Sequence, residues 1–353
     1  MAAVRHPGRL CGRRWRHGRN LPPAEIWRLS DVSCSKDGHM TMSRIILVTG
    51  GLGFIGKHFI RDRLAAGDEI INVDMESYAA DRRIGAEFAR NDRYRYIRSD
   101  ISALDYLPEC DVLVNFAAES HVDNAITSNE KFCRTNILGV QRLLELCRRK
   151  QRHEQPRFVQ ISTDEVYGDV VEGAVDEASP LKPSNPYSAT KAAADMLVTS
   201  WARTYGVDYS IIRPTNNYGV HQYPEKLIPK SCFRIARGRK ALLHGDGTYK
   251  RCWLHVEDTV AAIGTVLDRG DRNEIYNVSG DCELRNIDVV TKIATILGVP
   301  TDEAIMYIED RSGQDVRYAV DDSKTRALGW RPVRDFDVEL ERIVRSVEPK
   351  RFI

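Results

Sequence analysis

From Arg44 onward, short apolar runs alternate with amphipathic stretches along most of the chain. Runs at 45–49, 69–73, 95–99, 112–116, 157–162 and 208–213 are bounded by Gly, Asp, Ser or Pro. Most are continuous and rich in Ile and Val, the signature of strands buried on both faces. Between them, residues 55–66, 129–149 and 187–205 repeat apolar positions at helical spacing, and the last two are long enough to pack as a pair. Strand and helix in alternation predict an α/β fold with a doubly wound parallel sheet of the Rossmann type over residues 42–215. Past Pro214 the texture changes to loops rich in Pro, Tyr and Gly, with helices expected near 230–237, 287–297 and 338–346. Residues 216–353 therefore read mainly as a smaller C-terminal lobe, some of whose segments return to the sheet.

Composition narrows the picture. A chain of 353 residues that is 42% hydrophobic and 29% charged can bury one large core or two modest ones. Its 52 basic and 50 acidic residues leave a net charge of +2, which gives no field suited to nucleic acid or an anionic membrane. Residues 1–41 hold eight Arg and Lys against three acids with no apolar period, and are read as a disordered extension ahead of an internal start at Met42. No run of about 20 apolar residues suggests a membrane span and no apolar stretch suggests a signal peptide, so a cytoplasmic location is expected. The eight cysteines are scattered, without Cys-x-x-Cys or zinc-like spacing, so no metal site is expected.

The run at 45–49 leads into Gly50-Gly51-Leu52-Gly53-Phe54-Ile55-Gly56 and then a helix. Gly50, Gly53 and Gly56 at a strand-to-helix turn let the backbone approach a pyrophosphate, which the helix N-terminus holds. Asp74 closes the second strand, 18 residues past Gly56, where a carboxylate accepts ribose hydroxyls and repels a 2′-phosphate. That position predicts NAD, since Met75-Glu76-Ser77 offers no arginine to offset the acid. Tyr187 and Lys191 lie one helical turn apart, and the nearby ammonium, with the positive nicotinamide ring, is expected to lower the phenol toward a usable base. After the fifth strand comes Thr163-Asp164-Glu165. A hydroxyl donor such as Thr163 suffices for alcohol oxidation; two adjacent carboxyls add a general acid and a general base suited to an elimination.

The segments Ser162-Thr163-Asp164-Glu165-Val166-Tyr167-Gly168-Asp169, Asn185-Pro186-Tyr187-Ser188-Ala189-Thr190-Lys191, Asn216-Asn217-Tyr218-Gly219, Pro224-Glu225-Lys226-Leu227-Ile228-Pro229 and Asp310-Arg311 to Gly313 resemble those of dTDP-glucose 4,6-dehydratases, extended short-chain dehydrogenase/reductases acting on nucleotide sugars. The resemblance spans about Ile45 to Trp330. It implies that Asp164 protonates the leaving C6 hydroxyl, Glu165 removes the C5 proton and Tyr187 acts on the C4 hydroxyl. It further implies that Phe54, Ile55, Asp100, Ile101, Ala117, Ala118, Ser120, Thr135 and Asn217 line the cofactor. Ser120, Thr163, Asn216, Lys226, Leu227, Arg251, Asn277 and Arg311 would hold the sugar nucleotide. The arginine forks suit a diphosphate. His244 lies in Leu242-Leu243-His244-Gly245, where similar enzymes place Pro-x-Tyr-Gly near the base, and Arg251-Cys252-Trp253 stands where they read Arg-Asp-Trp. Similar enzymes also pair the two long helices with their copies, which implies a homodimer.

Three readings stay open beside dehydration. A 4-epimerase or a uronate decarboxylase shares the NAD turn and the Tyr/Lys pair but has no use for Asp164. A cofactor-sensing regulator would need neither Tyr187 nor Lys191.

Overall fold

The computed structural model describes residues 43–347. The expectations for residues 1–41, Cys11 and Cys34 included, lie outside the described residues.

Twelve strands occur among the described residues: β1 (Ile45–Thr49), β2 (Glu69–Asp74), β3 (Tyr94–Arg98), β4 (Val112–Asn115), β5 (Arg157–Ile161), β6 (Tyr209–Pro214), β7 (Asn216–Tyr218), β8 (Ala241–His244), β9 (Lys250–His255), β10 (Glu274–Val278), β11 (Cys282–Arg285) and β12 (Ile305–Ile308). Seven form one parallel sheet in the order β10-β6-β5-β4-β1-β2-β3. The order reverses between β1 and β4, and that switch point opens a crevice at the carboxyl ends of the strands. Every residue of β4, β5 and β6 is buried, as continuous apolar runs require when helices cover both faces.

The helices that matter for the site are α1 (Phe54–Ala65), α2 (Arg82–Phe88), α3 (Val122–Thr127), α4 (Glu130–Phe132), α5 (Val140–Arg148), α6 (Pro186–Tyr205), α7 (Leu227–Ile235), α8 (Val256–Arg269) and α9 (Asn286–Ile296). On one face of the sheet, Phe59 and Ile60 of α1 pack with Ile263 and Val266 of α8. On the other, Leu143, Leu144 and Cys147 of α5 pack with Ala194 and Val198 of α6. A separate core joins Ile228 and Cys232 of α7, Val289, Val290 and Ile293 of α9, and Phe336, Leu340 and Ile343 of the last described helix, Phe336–Ser346.

Expected and observed elements differ in instructive places. The helix expected over 129–149 is α4 and α5 joined by a π-helical stretch, Cys133–Gly139, in which Asn136 is buried. A wider turn of this kind re-aims side chains beside functional sites. Here Asn136 donates to the Glu119 carbonyl at 3.0 Å and to Thr190 at 2.9 Å, tying the stretch to α6. α8 and β10 were not expected, and both come from the half assigned mainly to the second lobe. β10 completes the sheet beside β6.

α6 carries the Tyr/Lys pair, and its start is specified locally. Asn185 caps it, accepting from the Ser188 amide at 3.0 Å, while the Ser188 hydroxyl accepts from the Asn185 amide at 3.2 Å and Pro186 occupies the first turn. Its middle is anchored by a buried ion pair, with Arg213 Nε of β6 3.0 Å from Asp195 Oδ2. Tyr167 accepts from Arg213 Nη1 at 2.7 Å and donates to Asn277 Oδ1 at 2.8 Å. Removing one partner strands a buried charge, whereas replacing both with apolar groups does not. Arg213→Met should therefore cost about 3–5 kcal/mol in guanidinium unfolding, and Asp195→Leu combined with Arg213→Met should recover most of it. A double variant no better than the single one would mean that the pair is not what anchors α6.

Candidate active site

β1 turns into α1 through the glycines, and the geometry shows why. Gly50 has φ +70°, and a Cβ there would lie 2.6 Å from the Ala117 amide nitrogen on the neighbouring strand's extension. A Cβ on Gly56 would lie 2.5 Å from the Gly50 carbonyl. Gly53, at the N-cap of α1, meets only the Gly50 carbonyl, at 3.1 Å, so its open side faces the cleft. It has no side chain to cap the helix, and the first turn carries no acid, so the amides at this end await an anionic partner. Asp74 ends β2 inside the same cleft. Its carboxylate accepts from the Leu52 amide at 2.9 Å and the Glu76 amide at 2.7 Å, and burial raises its pKa despite both bonds. An uncapped helix end, a turn that only glycine fits and an acid at the β2 terminus suit the pyrophosphate and adenosine ribose of NAD.

One cleft of about 720 Å³ gathers Gly50, Gly53, Phe54, Ile55, Gly56, Asp74, Asp100, Ile101, Ala117, Ala118, Ser120, Thr135, Thr163, Asp164, Glu165, Tyr187, Lys191, Asn216, Asn217, Lys226, Leu227, His244, Arg251 and Arg311. Asn277 is the exception and is corrected here. It lies on β10 at 0% exposure, its side chain accepting from Tyr167 and donating to the carbonyls of Val175 and Asp321. All of its polar capacity serves the fold.

The chemistry concentrates where β5 ends. Thr163 donates to Asp164 Oδ1 at 3.1 Å and lies within hydrogen-bonding reach of the Tyr187 phenol. Asp164 is only 2% exposed, and its Oδ2 has no partner. Burial and the adjacent Glu165 charge raise its pKa to about 7, so it holds a proton near neutrality. Glu165 is half-buried at the cleft wall; burial raises its pKa, and Arg251 and Lys226 oppose the rise. The lowered phenol expected for Tyr187 depended in part on the positive nicotinamide ring, and in the chain alone the phenol shifts the other way. Burial and the two carboxyls push its pKa up rather than down. Lys191 donates to the Ile161 carbonyl at 2.6 Å, and burial brings its pKa down to about 8 against the pull of Asp195. The chain's own residues thus keep Tyr187 protonated.

The expected cations are partly engaged by the chain itself. Arg251 donates to the carbonyls of Lys250, Val316 and Asp315 at 2.7, 3.3 and 2.9 Å and stacks over Tyr318. Arg311 pairs with Asp123 at 2.9 Å, and Lys226 donates to the Ser120 carbonyl at 2.7 Å. Asn216 Oδ1 is buried and unpartnered in the cleft, whereas Asn217 spends its amide on Thr215 and Thr259. Tyr318 and Asp123 are among the lining residues that were not anticipated. Neither sits in a motif, and nothing local marks them.

Comparison with known proteins is consistent with this geometry. A family profile described as GDP-mannose 4,6 dehydratase matches residues 47–343. The chain is 44% identical to the low-salt glycan biosynthesis protein Agl12 of Haloferax volcanii, over 85% of this chain and 97% of that one. It is 42% identical to a dTDP-glucose 4,6-dehydratase of Neisseria meningitidis, over 86% and 92% of the two chains. Among solved structures, the dTDP-glucose 4,6-dehydratase DesIV of Streptomyces venezuelae, with NAD and TYD bound, aligns with TM-score 0.81 and 40% identity, over 85% of this chain and 96% of that one. A profile match over nearly the whole described fold, joined to relatives of this similarity, means that the chain belongs to the GDP-mannose 4,6 dehydratase family.

Proposed function

We propose that the chain is an NAD-dependent 4,6-dehydratase of a nucleotide-activated glucose of the dTDP or UDP type, releasing the 4-keto-6-deoxy sugar. The observation that carries this reading is the carboxyl pair beside Tyr187, Asp164 buried with an unpartnered Oδ2 and its pKa raised to about 7, and Glu165 half-buried at the cleft wall. Oxidation of an alcohol and epimerisation at C4 need a hydroxyl, a phenol and an ammonium; of the reactions open to this site, the elimination is the one that calls for an added acid and base side by side.

The glycine turn at Gly50, Gly53 and Gly56 and the carboxylate of Asp74 would hold NAD, which would supply the hydride chemistry, acceptance from C4 and return at C6. Tyr187 would receive the C4 hydroxyl proton as its phenolate, a form that burial and the two carboxyls disfavour in the chain alone and that the positive nicotinamide ring of bound NAD would favour, with Thr163 orienting the phenol and Lys191 supplying positive charge from one turn below. A ketone at C4 acidifies the C5 proton, which Glu165 removes from the cleft wall. Asp164 delivers its proton to the C6 hydroxyl as that group leaves as water. Burial makes the transfer effective, since the acid is held neutral until it acts. Lys226, Arg251, Arg311 and Asn216 face the sugar nucleotide, and His244 lies toward the base.

The protein acts as a homodimer in this reading. The π-helical stretch and α6 pack side by side, and they leave Leu138 58% and Met196 65% exposed. Aliphatic side chains open on adjacent helices suit a self-complementary contact. Among the described residues no helix is long and apolar enough to cross a membrane.

In heavy water, the product formed from dTDP-glucose or UDP-glucose should carry deuterium at C5 and none at C6, read by NMR. Glu165→Gln should slow product formation by about 10²–10⁴-fold. Deuterium at C6, or an epimer as product, would overturn the dehydratase reading in favour of epimerisation. Because Asp164 must hold its proton to act, wild-type kcat should fall as pH rises through about 7. In Asp164→Asn that limb should be absent; its persistence would assign the acid to another group. Light scattering should give twice the chain mass for the wild type and a shift toward monomer for Leu138→Glu with Met196→Glu.

A further inference from the structure

The cleft's adenosine end holds a charge arrangement that the NAD site does not need. Beyond Asp74 the chain turns sharply, and Glu76 sits at φ +57°, one of three non-glycine residues with positive φ among those described. A glutamate in the left-handed region is strained, and such a residue persists only where its surroundings hold it. Two contacts do so. Its amide donates to Asp74 Oδ1 at 2.7 Å, and its Oε1 accepts from the Tyr96 hydroxyl at 3.0 Å. The same Tyr96 hydroxyl lies 3.2 Å from the Asp74 carbonyl, so β3 clamps the turn from the side.

Its other oxygen is more informative. Glu76 Oε2 lies 3.5 Å from Arg82 Nε, at the start of α2, and 3.7 Å from Arg98 Nη2, at the end of β3. Arg82 lines the cleft, as do Asp74, Met75 and Ser77. Arg98 immediately precedes Ser99 and Asp100, which line it too. Both arginine side chains are open to solvent, 69% and 66% exposed, while Glu76 is 20% exposed. Arginine beside the adenosine ribose is what accommodates a 2′-phosphate in dinucleotide sites. Two such arginines therefore stand near this strand end, Arg82 at the start of α2 and Arg98 at the end of β3, and one partly buried carboxylate draws both.

We infer that Glu76 is a cofactor-selecting residue, which neutralises Arg82 and Arg98 and thereby denies the site to the 2′-phosphate of NADP. The inference rests on the NAD assignment at this strand end. Asp74, whose oxygens accept the Leu52 and Glu76 amides, is a single charge set against two guanidiniums. Without the Glu76 charge, two exposed guanidiniums would stand within reach of an added phosphate, and bidentate pairing of Arg with phosphate is strong.

The test is competitive occupancy of the full chain. Wild type, Glu76→Gln and Glu76→Gly are dialysed against equal NAD and NADP, then denatured, and the released dinucleotides are quantified by chromatography. Glycine tolerates the left-handed turn, so it separates loss of charge from loss of fold. Both variants should raise the bound NADP to NAD ratio by about tenfold or more at low salt. The gain should shrink at high salt and disappear when Arg82→Ala and Arg98→Ala are added to Glu76→Gln. A ratio unchanged in both variants, or a gain that survives removal of the arginines, would overturn the inference. Retention of neither dinucleotide by the wild type would sink the cofactor assignment along with it.

Discussion

Exclusion of water from the end of β5 is the constraint from which the site's properties follow. Asp164, Glu165, Tyr187 and Lys191 all ionise, and burial disfavours the charged form of each. The outcome is asymmetric because their neighbours differ. Glu165 has Arg251 and Lys226 working against its desolvation, whereas Asp164 has Glu165 itself as a close negative charge. Both carboxyls are raised by burial, but the Glu165 charge adds to the rise at Asp164 whereas Arg251 and Lys226 oppose it at Glu165, so the two neighbours are treated differently, as an acid and a base on one substrate require. A polar, solvated turn of the same sequence would ionise both and separate no roles.

That dry pocket depends on backbone approach elsewhere. The residue after β1 meets the chain leaving β4 so closely that Gly50 has no space for a Cβ beside Ala117. The sheet order reverses at this junction, so the crevice that admits the ligand and the contact that forbids a side chain are one feature. The π-helical stretch 133–139 does the same from the other side. It brings Thr135 to the cleft while Asn136 ties the Glu119 carbonyl to Thr190 on α6, so the helix bearing Tyr187 is braced from two directions.

What could be read from the chain alone was whatever is encoded locally. The glycine turn, Tyr187 with Lys191 and the Thr163-Asp164-Glu165 triplet are each contiguous, and continuous apolar runs marked β1, β4, β5 and β6. β10 reads Glu-Ile-Tyr-Asn-Val, and its Asn277 is paid no attention by periodicity because its buried amide is satisfied only by Tyr167, Val175 and Asp321, each over 40 residues away. The same long-range bonds explain why Asn277 belongs to the fold and not to the cleft. α8 escaped because Gly264 and β-branched residues weaken its helical pattern, and it forms through packing on α1. The sequence showed Lys191 four residues past Tyr187, but not the burial that raises the phenol in the chain alone, nor the bond that directs the Lys191 ammonium to the Ile161 carbonyl.

Arg251 shows how one side chain answers two electrostatic demands. Its guanidinium has five donors, and the carbonyls of Lys250, Val316 and Asp315 fix its plane while Tyr318 covers one face. A cation held this firmly loses little entropy when an anion arrives and needs no reorganisation to stabilise charge. The carbonyls compete for some of its N–H groups but carry no charge, so its positive field remains. That field opposes the burial of both Glu165 and Asp164. Moving Arg251 away would therefore weaken the hold on an anionic ligand and make both carboxyls harder to ionise. In the proposed reaction, anion recognition and the ionisation of the carboxyl pair both draw on the same buried guanidinium, and neither can be altered there without the other.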